Sequence, residues 1–131
     1  MIFNSPTFIH FDDILYYDGP LLSIGLTENH QVMLQVFCDC DDDFNYYVNV
    51  SIPKKEIELF IDSKLSYYDV LPHCTNLSAF KTNATGYEFW CNMSLAEFLE
   101  NYGPQPDSNV FLNSVVNENF VNSWKSYLAK C

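Results

Sequence analysis

Three short runs of strict alternation constrain this chain more than any other feature. Leu22, Ile24 and Leu26 alternate with Ser23 and Gly25; Val32, Leu34, Val36 and Cys38 alternate with Met33, Gln35 and Phe37. Tyr46, Val48, Val50 and Ile52 then alternate with Tyr47, Asn49 and Ser51. A period of two puts successive side chains on opposite faces of a strand. Polar turns, Thr27 to His30 and Asp39 to Asn45, separate the runs. The expectation is a three-stranded antiparallel meander. Upstream, Phe11 to Pro20 closes on Tyr-Tyr-Asp-Gly-Pro, and Asp-Gly before Pro is strong turn chemistry.

After Ile52 the period changes. Pro53 suits the first turn of a helix, and Ile57, Phe60, Ile61 and Lys64 follow at helical spacing. Ser66 with Asp69 forms a capping pair for a short turn that Pro72 stops. Tyr87, Phe89, Cys91 and Met93 alternate with Glu88, Trp90 and Asn92 and predict another strand. Ser94 with Glu97 is a capping box, with Met93 stapled to Phe98 across it. Leu95, Phe98, Leu99 and Tyr102 form the apolar face of that helix, and Gly103-Pro104 ends it. Val110 to Val116 alternates weakly, as strand or lead-in. Phe120, Val121, Trp124 and Leu128 share a stripe on a last helix, where Lys125 and Lys130 suit the negative end of the dipole. The pattern predicts an α+β fold: an antiparallel β-meander sheet with about three helices packed on one face.

Nothing divides the chain into parts. Its 131 residues, 48% of them hydrophobic, fit one domain over 1–131 with one core. Seventeen carboxylates face six lysines and no arginine, for a net charge of −11. Such a charge repels nucleic-acid phosphates and anionic membranes and attracts a basic partner. It also keeps a domain rich in Tyr and Phe in solution. Met1 to Phe11 has no basic segment or continuous apolar run, so the expected location is the cytoplasm. Five cysteines cannot all pair within one chain, and free thiols are expected there.

The densest polar feature is Asp39-Cys40-Asp41-Asp42-Asp43-Phe44-Asn45. Counted as a calcium loop from Asp39, position six is Phe44 rather than Gly and position twelve is Val50 rather than Glu, which excludes an EF-hand. Cys38, Cys40, His73 and Cys74 contain C-x-C but no C-x-x-C, and adjacent His and Cys seldom share one ion. No metal or other cofactor is expected. Cys74 or Cys91 could in principle act with His10, His30 or His73, yet no nucleophile signature, P-loop or dinucleotide fingerprint is present. No residue is assigned a catalytic role.

Tyr16-Tyr17, Tyr46-Tyr47 and Tyr67-Tyr68 each force one ring outward in a regular element, and outward tyrosines are favoured interface anchors. Asp39, Asp41, Asp42, Asp43, Tyr46 and Tyr47 are therefore the candidate partner-binding residues. The run Leu15-Tyr16-Tyr17-Asp18-Gly19-Pro20-Leu21-Leu22 resembles the start of a small bacterial and phage domain of unknown function. Asp39 through Ile52, the Pro53 helix and Leu65-Ser66 extend the likeness over roughly residues 11–71. The resemblance implies a cytoplasmic microbial or phage origin and carries over no catalytic residue. Together these features suggest a small acidic inhibitor, of the phage anti-defence or immunity and antitoxin type. It would occupy a basic surface of a target protein, such as the nucleic-acid groove of a nucleic-acid-binding one. The alternative is a small enzyme or ligand-binding domain with a pocket between sheet and helices; a third is an accessory domain that oligomerises.

Overall fold

The computed structural model describes residues 7–16, 19–105 and 109–130. Six strands form one antiparallel sheet in sequence order: β1 (Phe8–Tyr16), β2 (Pro20–Thr27), β3 (Val32–Cys40), β4 (Asn45–Ile52), β5 (Thr75–Asn83) and β6 (Gly86–Cys91). The three predicted strands are β2 to β4, and their register pairs the apolar positions: Leu22 faces Val36, Val36 faces Val48, and Leu34 faces Val50. The predicted Tyr87 strand is β6. Four helices follow the first meander: α1 (Lys54–Ile61), the single turn α2 (Tyr67–Val70), α3 (Leu95–Tyr102) and α4 (Glu118–Ala129). The fold is α+β, as the alternation and the helical stripes predict. Among the described residues no helix is long and apolar enough to cross a membrane.

The helices cover one face of the sheet. Leu22, Ile24, Leu34, Val48 and Val50 point into a core with Ile57 and Phe60 of α1, Phe98 of α3 and Trp124 of α4. Each such side chain, fully removed from water, contributes about 1.5–3 kcal/mol. The caps hold as the sequence predicts. Ser66 and Ser94 accept hydrogen bonds from the Asp69 and Glu97 N–H groups, and Asn117 caps α4 by accepting from Phe120. Pro53 stands at the N-cap of α1; its carbonyl accepts from the Ile57 N–H, but it has no side-chain acceptor to offer.

Two strands escape the sequence pattern. On β1 the helix-facing positions include His10 and Asp12, the reverse of a buried apolar stripe. Helix α4 satisfies both: Trp124 donates its indole N–H to Asp12 Oδ2 at 2.9 Å, and Tyr127 stacks on His10 with centroids 3.6 Å apart. Strand β5 carries Ser, Ala, Thr and Asn at most positions and gives little contrast between faces. The weak Val110–Val116 alternation is not a strand. Val110 accepts one bond from Tyr67, and a 3-10 turn follows over Leu112–Ser114. Tyr17 and Asp18 of the expected turn lie outside the described residues; Gly19, at φ 138°, and Pro20 open β2.

The opposite face has a different order. Asp13, Ser23, Gln35, Asn49 and Ser78 are successive register partners, a polar row across five strands. Phe37, Tyr47, Phe80 and Phe89 form a parallel aromatic row beside it. Gly25 is required on this face, because a methyl group there would meet the Phe8 ring. Asn49 is buried, and its Oδ1 has no hydrogen-bond partner among the described residues.

The contact of α4 with β1 can be tested by a double-mutant cycle. Asp12→Ala strands the indole N–H of a fully buried Trp124 and should cost about 1–3 kcal/mol. In a Trp124→Phe background the same change should cost less than half as much. Urea midpoints of the four proteins supply the comparison, and equal costs in both backgrounds would remove the bond from the account.

Candidate functional site

The aspartate block forms the β3–β4 hairpin, and its first job is to hold its own shape. Asp41 accepts from the N–H groups of Asp43 and Phe44 at 2.9 and 2.7 Å through Oδ1. Its Oδ2 accepts from the Tyr46 hydroxyl. The Asp41 N–H in turn bonds Phe44 O at 2.9 Å. Such side-chain to backbone bonding is why Asp favours turns. Lys81, on the neighbouring strand, places its ammonium 4.4 Å from the centre of the Phe44 ring, a geometry in which the ring's negative face attracts a cation.

The candidate residues therefore divide. Asp39, Asp42 and Asp43 are exposed; Asp39 bonds only the N–H of Cys40. Asp41, also exposed, is engaged by the loop. Tyr46 is half-buried, lying between Asp41 and Trp90, whose ring centre is 4.9 Å away. Tyr47 points to the other face of the sheet and is 8% exposed, stacked on Phe80 with centroids 5.5 Å apart. The hairpin carboxylates and Tyr47 thus do not share one accessible surface. Of the other tyrosine pairs, Tyr16 and Tyr68 are exposed and Tyr67 is buried; Tyr17 lies outside the described residues.

The setting adds residues that the sequence reading did not select. In an antiparallel meander the ends of β1, β3 and β5 share one end of the sheet. Tyr16 and Tyr87, 68% and 55% exposed, therefore flank the aspartate hairpin, each about 10 Å away at two strand spacings. Lys81 is the one lysine on a strand; the other five lie on or beside α1 and α4. The alternation of β6 made Tyr87 available to sequence reasoning, but only the strand order puts it at the hairpin end of the sheet, against Phe80.

The chemistry of the remaining groups is quiet. Among the described residues no three His, Cys, Asp or Glu side chains converge as a metal-binding group. Cys38 and Cys74 are each pushed up to about 12, chiefly by burial, which keeps them as thiols rather than nucleophilic thiolates. His73 stands 3.7 Å from Glu56, and His10 is stacked on Tyr127.

Charge locks the hairpin over a wide pH range. The Tyr46 bond and the two backbone N–H groups hold Asp41 below its ordinary value of 3.8. The bond to Asp41 pushes the Tyr46 phenol from 10.0 up to about 12. A lowered carboxylate favours the folded loop above its ordinary value, a benefit lost as pH falls through the lowered one. A raised phenol favours it below 10.0, a benefit lost as pH rises through about 12. Asp41→Ala should return the Tyr46 titration, followed by ring-carbon NMR, toward its ordinary value; an unchanged titration would refute the bond. Alkylation of the native protein should label exposed Cys40 well before Cys38 and Cys74, as mass spectrometry of timed samples would show. Uniform labelling would count against the buried placement.

No family model, no curated protein and no solved structure matches this chain.

Proposed function

We propose that this chain is a binding domain that occupies a basic surface of another protein through the hairpin end of its sheet, and that this occupancy is inhibitory, in the manner of an anti-defence or immunity protein. One observation carries the reading: the hairpin is ordered by its own bonds while Asp39, Asp42 and Asp43 stay exposed. A pre-ordered cluster of charge loses little freedom when a partner docks. Repulsion among its carboxylates is relieved as lysines or arginines approach. Five of the six lysines lie in the helical layer, away from these aspartates, so an approaching basic surface is oriented toward the hairpins. Tyr16 and Tyr87 beside the loop supply the aromatic anchors that such interfaces favour. A partner covered in this way loses access to whatever acidic ligand, nucleic acid included, uses the same surface.

Partners can be sought by co-purification from the native host, with mass spectrometry of what remains bound. With a partner in hand, Asp39→Asn, Asp42→Asn and Asp43→Asn combined should slow association about tenfold or more at low salt and leave the melting temperature unchanged or slightly raised. The difference should shrink near physiological ionic strength, where exposed charges are screened over about 8–10 Å. Unchanged association rates at low salt would reduce the hairpin to a solvated turn.

A further inference from the structure

The opposite end of the sheet holds a cleft of about 310 Å³. Its walls are the β2–β3 turn, the end of β4, the first two turns of α1, the start of β5 and Leu128 of α4. Val32, Ile52, Ile57 and Leu128 make it apolar on one side. The volume is at the lower limit for small-molecule sites, so an occupant is of the size of an amino acid rather than a nucleotide.

The polar side is unusual in being unspent. Ser51 borders the cleft, but as the neighbour of core-facing Val50 and Ile52 its side chain is on the opposite face of the strand. Lys54 and Glu58 line the same cleft. Four residues apart on α1 they stand on one helix face, yet neither joins an ion pair among the described residues. Lys54 also stands in the first turn of α1, whose N–H groups receive no side-chain cap and carry the positive end of the helix dipole.

We infer that this cleft binds a small zwitterion with an apolar side group, the chemical class of a free α-amino acid. A carboxylate is matched by Lys54 and the first turn of α1. An ammonium is matched by Glu58, and the apolar wall receives the side group. A plain anion of the same size is disfavoured twice, by Glu58 within the cleft and by the net charge of −11 around it. A plain cation would be repelled by Lys54. A molecule that carries both charges meets neither penalty. This inference does not depend on the hairpin surface, which is at the other end of the sheet.

Amide NMR spectra of the full chain, titrated with free leucine or phenylalanine, test it directly. Saturable shifts confined to the cleft are expected, with affinities in the millimolar to micromolar range. N-acetyl-leucine, which lacks the ammonium, and leucine amide, which lacks the carboxylate, should each bind about tenfold or more weakly. Lys54→Gln should weaken free leucine while leaving leucine amide unaffected, and Glu58→Gln should erase the preference over N-acetyl-leucine. Both changes are on exposed positions, and an unchanged melting temperature would show that each variant is folded. Absence of any shift at roughly 10 mM of either amino acid, or equal binding of the blocked analogues, overturns the assignment.

Discussion

The sheet depends on how its first strand is covered. β1 is an edge strand, paired on one side only, and it directs His10 and Asp12 toward the helices where an apolar pair would be expected. Burial of such groups is costly unless they are bonded. Helix α4 resolves this with two side chains: the Trp124 indole fills the core and its N–H meets Asp12, while Tyr127 stacks on His10. Polar inward positions on an edge strand also discourage pairing with another sheet. The same contact thus anchors α4, completes the core and specifies which helix covers this strand.

The two ends of the sheet have opposite characters. At one end short hairpins carry exposed carboxylates and tyrosines, with Lys81 held against Phe44. At the other, the chain passes into α1 and leaves a cleft whose charges are balanced but unpaired. The separation follows from the topology. In an antiparallel meander successive turns lie on opposite ends, and only the end where β4 and β6 finish leads into the helical layer. Recognition of a large charged surface and of a small neutral solute can therefore coexist on one sheet without overlap.

Much of this was legible in the residues. The meander of β2 to β4, both capping boxes and the Trp124 stripe follow from period and cap chemistry, because each depends on neighbours within a few positions. β1 was not legible, since its inward polar residues make sense only beside a helix 112 positions away. β5 was missed because small polar residues on both faces give no contrast. Within the hairpin, sequence identified the aspartates but not their division of labour: that Asp41 serves the loop and Tyr47 faces away is decided by a bond and by strand parity. The cleft has no sequence signal, because Lys54 and Glu58 are ordinary residues until β4, α1 and β5 are brought together.

The order of the strands also bears on how the chain is made. Every strand pairs with its neighbour in sequence, so the sheet can grow one strand at a time, with short loops to close at every step but β4 to β5, where α1 and α2 intervene. The clamp on β1 breaks this pattern, because Trp124 of α4 follows its partner Asp12 by 112 residues and leaves the ribosome well after it. During synthesis the first strand would be paired to β2 but open on its helix-facing side, with Asp12 and His10 still in water. Those polar side chains make the wait tolerable: an unclamped β1 exposes groups that water solvates well, where an apolar strand would be an aggregation hazard. The residues that disguise β1 in the sequence thus protect the nascent chain until α4 arrives.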